Sequence, residues 1–189
     1  MRQQNSPRRM RYAQAWVESA KHQAEGSLLV NHDLILQKKT GAEVHVGNVP
    51  ITQMDFDYLQ AQGFDAVLDL CCDNAIEHSD CAKRGIIQHS EFVEDVHSPT
   101  QRQLDFMTLF IEGNLKAWHK VYIHCHAGAG RAPTVACAWL IRYHGFSVDE
   151  ALAHLRKTRR YHKVSENQIE GLIEFAARHA RAKTTKRGK

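Results

Sequence analysis

Short apolar runs alternate along this chain with longer stretches whose apolar side chains recur at helical spacing. Residues 121–123 (VYI) are β-branched and aromatic, which is typical of a buried strand, and residues 66–70 (AVLDL) have the same character. Between these two runs, residues 104–118 place apolar side chains along one side of a helix. Strands that alternate with helices predict an α/β fold with a mostly parallel central sheet flanked by helices.

Weaker sequence patterns predict further strands and helices along the chain. A short strand is predicted at residues 86–89, and a last helix at residues 166–180. The other predicted helices lie at residues 12–24, 53–60 and 134–141, with one more beginning at Val148. We therefore expect a single domain over residues 43–180. An N-terminal extension that contains a helix (residues 1–42) precedes it, and a basic, disordered tail (residues 181–189) follows.

Composition limits the class of protein and its location. With 189 residues and 43% hydrophobic content, the chain can bury the core of one domain. Its five cysteines lack the spacing of a disulfide framework, which indicates a reducing compartment. No apolar run approaches the length of a membrane span, so we expect no stable membrane insertion. The basic residues 1–11 lack the apolar core of a secretory signal; we predict a cytoplasmic protein, with a mitochondrial transit peptide as the alternative.

The run His-Cys-His-Ala-Gly-Ala-Gly-Arg at residues 124–131 carries the chemistry of the chain. It follows a strand and precedes Pro133, which is favoured in the first turn of a helix, so it forms a strand–loop–helix unit. Small residues let the loop backbone curl and direct its N–H groups inward, and such a nest at a helix N-terminus binds anions. The residues expected to bind a substrate phosphate are His126, Ala127, Gly128, Ala129, Gly130 and Arg131.

Cys125 and Arg131 give this nest a reactive centre. The planar guanidinium of Arg131 can hold two phosphate oxygens at once. The positive field that binds phosphate also favours the thiolate form of Cys125, which is the nucleophilic form. The two residues therefore predict attack by sulfur on phosphorus.

Metal and nucleotide sites are the competing interpretations. The adjacent residues His124, Cys125 and His126 point in different directions, and no partner motif completes a tetrahedral site. A second conceivable cluster is Cys71, Cys72, His78 and Cys81. Its spacing is irregular, and small buried thiols explain it better. No Gly-Lys-Ser/Thr follows the glycines, which excludes a Walker-type loop. We expect neither a metal nor another cofactor.

With its His-Cys, five residues and Arg, the loop resembles the signature of the cysteine-based phosphatases, in particular their compact dual-specificity branch. The resemblance covers residues 43–175; residues 43–50 resemble the opening strand of that family and residues 63–70 its next strand. It implies a sheet of four to five strands and hydrolysis of phosphate monoesters through a phosphocysteine intermediate. It further implies substrates that carry phosphotyrosine and phosphoserine or phosphothreonine.

The resemblance also implies the remaining roles. The family's general acid stands upstream of the cysteine, and Asp95, thirty positions before Cys125, occupies that place, with Glu94 and Glu91 as alternatives. His124 is expected to orient the loop. Most relatives carry Ser or Thr where this chain has Ala132. Hydrolysis of the intermediate is therefore expected to be slower, unless Thr134 or a water supplies the missing hydrogen bond.

The substrate and the partners stay open at this stage. We expect a phosphorylated protein or another phosphomonoester as the substrate, a monomeric protein, and no binding to nucleic acid. A lipid or glucan phosphatase with the same chemistry and a non-catalytic phosphate-binding adaptor are the alternatives. A basic run at residues 156–163 either contacts the substrate or is the solvated end of a helix.

Overall fold

The computed structural model describes residues 31–71, 75–159 and 161–187. Its sheet has the strand order β1-β2-β5-β3-β4. The strands are β1 (His32–Gln37), β2 (Glu43–Gly47), β3 (Ala66–Asp69), β4 (Ile87–Ser90) and β5 (Lys120–His124). Strand β1 pairs antiparallel with β2, and the other neighbours in the sheet pair in parallel. The predicted fold class, a single domain with a mostly parallel sheet of four to five strands flanked by helices, is confirmed.

Helices cover both faces of this sheet. They are α1 (Gln53–Ala61), α2 (Ala75–Lys83), α3 (Gln101–Lys116), α4 (Arg131–Trp139), α5 (Val148–Thr158) and α6 (Glu166–Arg187), with a π-helical turn (Leu140–His144) after α4. The helix predicted at residues 12–24 lies outside the described residues. Within the described part of the chain, no helix combines the length and the apolar character that crossing a bilayer requires.

The side chains of β5 alternate between two cores on opposite faces of the sheet. Val121 and Ile123 belong to the larger core, together with residues of α3 to α6. Tyr122 belongs to the smaller core, together with residues of α1 and α2. All three side chains are fully buried, because successive strand residues point to opposite faces and both faces are covered. The continuous apolar run that predicts β5 is the sequence pattern of such a strand.

The structure contains elements that the sequence pattern did not predict. Strand β1 lies in the stretch expected to be an N-terminal extension, and it forms an edge of the sheet. Of its side chains only that of Ile35 is buried, so its pattern differs little from that of an exposed segment. Helix α2 was also not predicted. Helix α6 continues to Arg187, into the stretch expected to be a tail.

A buried polar bridge ties the β1–β2 hairpin to the helices on the larger core. The Lys38 ammonium in the hairpin turn lies 2.9 Å from both carboxylate oxygens of Glu112 on α3. The indole N–H of Trp139 on α4 donates to the same carboxylate at 3.1 Å. Because α4 directly follows the loop at residues 125–130, this bridge holds the helix that carries the candidate site.

Two histidines lie against each other on the β1–β2 pair. The Nδ1 atoms of His32 and His45 are 3.0 Å apart, and His32 Nε2 lies 3.2 Å from the hydroxyl oxygen of Tyr58. Burial and the neighbouring charge of His45 lower the pKa of His32 to about 4. Burial also lowers the pKa of His45. Both imidazoles are therefore neutral in the folded protein at neutral pH.

We predict that the free energy of unfolding falls as the pH is lowered from about 6.5 to about 4. In this window the unfolded chain protonates His32 and the folded protein does not, so lower pH favours unfolding. His32→Gln should reduce the slope of unfolding free energy against pH, measured by urea denaturation. The control variant is His97→Gln, at a histidine whose side chain is 57% exposed. Equal slopes for the wild type and His32→Gln would contradict the prediction.

Candidate active site

The loop of residues 125–130 lies between β5 and α4, at the carboxyl end of the parallel strands. Helices α1, α3 and α5 each begin with a capping box, in which a side chain accepts a hydrogen bond from a first-turn N–H. Helix α4 has Gly130 as its N-cap residue and no such side-chain bond. An uncapped helix N-terminus, at the positive end of the helix dipole, suits an anion at the loop.

Donors outside the loop hold its carbonyl groups. Gly128 O accepts from Arg159 Nε at 2.7 Å. The other pairs are His126 O with Val49 N at 3.0 Å, Ala129 O with Lys163 N at 2.5 Å and Gly130 O with Thr134 N at 3.0 Å. Because these carbonyl oxygens face the surrounding protein, the N–H groups of the loop are left to face its concave side. This arrangement fits the anion nest that the small residues predict.

Gly128 makes this path of the backbone possible. Its φ of 64° lies in the left-handed region, which glycine adopts without strain. A Cβ atom at this position would overlap the carbonyl group of Gly47 and crowd the Arg159 guanidinium. Residue 128 is therefore glycine both for its conformation and for space.

Cys125 and His124 lie at the base of the loop. Cys125 is 3% exposed and His124 is fully buried. The His124 ring packs against the ring of Tyr122, with 5.8 Å between their centroids, and its Nδ1 atom lies 3.9 Å from Asp69 Oδ1. His124 is thus held between its own strand and β3, next to the loop.

Asp69, Cys71 and His124 each offer one metal-ligand atom, and the three atoms lie within 4.8 Å of one another. Among the described residues, this is the group with the composition and spacing to hold a metal ion. It differs from the cluster considered from sequence, of which Cys72 and the side chain of His78 lie outside the described residues. Asp69 Oδ1 already accepts the Cys71 N–H at 2.7 Å, so this carboxylate shapes the end of β3.

Arg131 connects the loop to the segment of residues 91–98. Its Nη1 atom donates to the carbonyl oxygens of Val93 at 2.9 Å and Leu70 at 3.4 Å. Its Nε atom lies 3.3 Å from Asp95 Oδ1, and the Asp95 side chain is 55% exposed. The Asp95 carboxylate therefore lies between Arg131 and solvent, beside the place of a phosphate that Arg131 would bind.

The alternative acids pair elsewhere. The Glu94 side chain is 73% exposed, and its Oε2 atom lies 3.7 Å from His97 Nδ1. Glu91 Oε2 lies 3.6 Å from His89 Nε2. Of the three carboxylates considered from sequence, Asp95 is the one that the structure brings to Arg131.

The segment that carries Asp95 is fastened to the start of α6. Three hydrogen bonds make the connection: Ser165 Oγ to Val96 O (2.9 Å), Gln168 Nε2 to His97 O (3.2 Å) and Ser98 N to Asn167 Oδ1 (2.7 Å). Val96 has a φ of 61°, which is strained for a β-branched residue. These bonds hold the strained turn next to Asp95.

Sequence reasoning missed this connection, although a signal was present. Ser165 and Gln168 form a capping box, with Gln168 N to Ser165 Oγ at 3.2 Å and Ser165 N to Gln168 Oε1 at 2.9 Å. Ser-x-x-Gln is the sequence pattern of such a box.

The same stretch also holds the phosphate loop, because the N–H of Lys163 donates to Ala129 O. We call residues 163–168 the clamp, because they hold both the phosphate loop and the Asp95 segment.

Ala132 is fully buried in the first turn of α4. The hydroxyl of Thr134, considered from sequence as the replacement for the missing Ser or Thr hydroxyl, donates to Gly130 O at 2.8 Å. Its single proton is thus used within α4 and is not directed at Cys125.

The basic run at residues 156–163 divides in two in the structure. Arg156 and Lys157 are exposed. Arg159 is 2% exposed and contacts the outward-facing side of the phosphate loop. Arg160 lies outside the described residues. The two alternatives considered from sequence for this run, substrate contact and a solvated helix end, therefore do not describe Arg159.

Comparisons with known proteins bear on this site. A family model described as dual specificity phosphatase, catalytic domain, matches residues 46–178. Phosphatidylglycerophosphatase and protein-tyrosine phosphatase 1 of Homo sapiens is 38% identical over 68 residues, which is 36% of this chain and 33% of that protein. Protein tyrosine phosphatase PRL-1 of Trypanosoma cruzi is 30% identical over 99 residues, 51% of this chain and 56% of that protein. Both matches span less than two thirds of the relative's length.

Solved structures are similar over most of this chain. Tk-PTP in the active form has a TM-score of 0.68 and 30% identity, covering 75% of this chain and 96% of that one. PTPMT1 in complex with PI(5)P has a TM-score of 0.65 and 26% identity, covering 74% of this chain and 94% of that one. Kinase associated phosphatase has a TM-score of 0.70 at 19% identity, covers 80% of this chain and 96% of that one, and shows the shared fold.

Proposed function

The chain belongs to the dual specificity phosphatase family, and on that premise we propose that it hydrolyses phosphate monoesters as a dual-specificity protein phosphatase. The observation that carries the proposal is the loop after β5, whose carbonyl groups are bonded outward around Cys125. Arg131 follows the loop, and Asp95 lies 3.3 Å from its Nε atom. Together they supply a nucleophile, an oxyanion site and an acid.

In the first step, the Cys125 thiolate attacks the phosphorus atom of the ester. An S–P bond forms while the P–O bond to the leaving group breaks. The loop N–H groups and Arg131 bind the three non-bridging oxygens. Asp95, in its acid form, gives its proton to the departing alkoxide or phenoxide oxygen. The product of this step is a phosphocysteine.

In the second step, the Asp95 carboxylate takes a proton from a water molecule. The water oxygen attacks phosphorus, the S–P bond breaks, and Cys125 leaves as a thiolate. Inorganic phosphate departs with the new P–O bond. Ala132 offers no hydroxyl to the departing sulfur, so we expect this step to limit turnover.

The accessibility of the loop supports protein substrates of both kinds. His126, Ala127, Ala129 and Gly130 are each partly exposed, so the nest lies near the surface. A nest near the surface admits the short side chains of phosphoserine and phosphothreonine as well as the longer phosphotyrosine. This is the physical argument for dual specificity.

A phospholipid monoester is the second candidate substrate. The human relative is named a phosphatidylglycerophosphatase as well as a protein-tyrosine phosphatase, and the PTPMT1 structure contains PI(5)P. In this chain Phe92 and Val96, which flank Asp95, are 57% and 56% exposed. Exposed apolar side chains beside the acid suit a substrate that carries an acyl chain.

A reducing compartment suits this chemistry, and the cytoplasm is the location we propose. Cys71, Cys81, Cys125 and Cys137 are buried thiols outside any disulfide. Burial raises the pKa of Cys137 to about 12, which makes its thiol inert. We further propose that the protein works as a monomer, without a metal, another cofactor or nucleic acid.

Cys125→Ser should abolish turnover of p-nitrophenyl phosphate while the protein still binds inorganic phosphate.

The wild type should show its highest kcat/KM on phosphopeptides. The panel to be compared contains phosphotyrosine, phosphoserine and phosphothreonine peptides, a phosphoinositide in vesicles and phosphoglucan. A higher kcat/KM on the vesicles would support the second candidate. Phosphate binding without turnover by the wild type would contradict an enzyme and support an adaptor.

Asp95→Asn should lower kcat/KM by about 10²-fold or more on a phosphoserine peptide, whose alkoxide needs the proton. The loss should be smaller on p-nitrophenyl phosphate, because nitrophenolate leaves without help. The matched variant Glu94→Gln should stay near the wild-type rate on both substrates. If Glu94→Gln shows the leaving-group dependence and Asp95→Asn does not, the general acid is Glu94.

Ala132→Ser should raise kcat, because a hydroxyl beside Cys125 stabilises the departing thiolate. Rapid-quench kinetics with p-nitrophenyl phosphate should show a burst in the wild type that shrinks in the variant. Ala136→Ser, one turn further along α4, is the matched control and should keep the wild-type burst. An unchanged rate with an undiminished burst in Ala132→Ser would contradict this account.

A further inference from the structure

Arg159 is a buried cation directly behind the phosphate loop. It follows the last residue of α5, where the backbone turns extended (φ −127°, ψ 119°) and the helix stops. Its side chain is 2% exposed, although its neighbours Arg156 and Lys157 on the same helix end are exposed. Burying a guanidinium is costly unless its N–H groups are all well placed, so its contacts indicate what it does there.

The guanidinium joins three separate parts of the chain. Its Nε atom donates to Gly128 O at 2.7 Å, in the middle of the phosphate loop. Its Nη1 atom donates to Val46 O on β2 at 2.7 Å and to Asp33 Oδ2 on β1 at 2.8 Å. The loop is thereby fixed, through one side chain, to the antiparallel edge of the sheet.

The bond from Arg159 to Gly128 O holds the loop at the residue whose backbone can change conformation most easily. Gly128 has no side chain and a φ of 64°, so its peptide groups can rotate at little cost. If this carbonyl turned inward, its oxygen would face the oxygens of a bound phosphate and repel them. Arg159 holds the oxygen outward, which keeps the nest open for an anion.

We propose that Arg159 is a positioning residue of the phosphatase reaction. It keeps the Gly128 carbonyl outward, so that the loop binds the phosphoryl group. The assignment rests on the proposed function for its reaction, and it makes a separate claim about anion binding by the resting protein.

The test compares three variants of the full-length chain. Arg159→Met removes the donors and the charge at similar length. Arg159→Lys keeps the charge and loses the planar guanidinium, whose N–H groups bond to several acceptors at once. Arg84→Met is the matched control, because the Arg84 side chain is only 10% exposed and is bonded to Asp57 and Asp80, on α1 and α2. It should lower the stability and leave the phosphate loop unchanged.

Two measurements separate positioning from stability alone. Arg159→Met should lower kcat/KM on p-nitrophenyl phosphate by about 10²-fold, as expected for a displaced loop. Calorimetry should show weaker binding of inorganic phosphate. Arg159→Lys should also bind phosphate weakly, because a single ammonium group does not replace the planar guanidinium.

Wild-type phosphate binding by folded Arg159→Met would overturn the proposal. If that variant does not fold, Arg159→Lys decides, and wild-type phosphate binding by Arg159→Lys would overturn the role at Gly128. Losses of equal size in Arg84→Met would also overturn it, because they would show a general effect of lost stability. If the wild type does not turn over phosphate esters, the proposed function fails, and the phosphate-binding measurement still tests the role of Arg159.

Discussion

A loop that binds an oxyanion through its amide groups has to turn its carbonyl oxygens away from that anion. The structure around residues 125–131 meets this constraint with donors from four places: the segment after β2, the end of α5, the clamp and the first turn of α4. Each donor sits on an element whose position the sheet and its two cores determine. The site therefore depends on the surrounding fold, and the loop sequence alone does not produce it.

The parts that could be predicted are those whose signal is local. The apolar run of β5 appears in the sequence because both faces of that strand are covered. The small residues of the loop appear because Gly128 adopts a left-handed φ and packs against Gly47. Cys125, Arg131 and Asp95 stand at spacings that depend on one strand–loop–helix unit and one neighbouring segment. The fold class can therefore be predicted from the sequence alone, and the three residues can be selected there as candidates for the site.

The parts that could not be predicted depend on long-range partners. Arg159 bonds to Asp33 across 126 positions and to Val46 across 113, and in the sequence it stands in a basic run that is typical of a solvated helix end. Strand β1, which supplies Asp33, buries only Ile35, so its own pattern carries little information. The clamp had a visible Ser-x-x-Gln signal, but nothing local shows that its donors reach residues 96–98.

The same reasoning explains why the chemistry can be assigned more finely than the substrate. The nest is held on all sides by short hydrogen bonds, so its shape follows from the backbone and selects any phosphoryl group. The Asp95 segment is held by the clamp and, at Val93, by Arg131, and it turns through the strained Val96. The side chains of Phe92, Asp95 and Val96 are exposed. We therefore expect selectivity among phosphate esters to depend on these exposed side chains, which no core constrains.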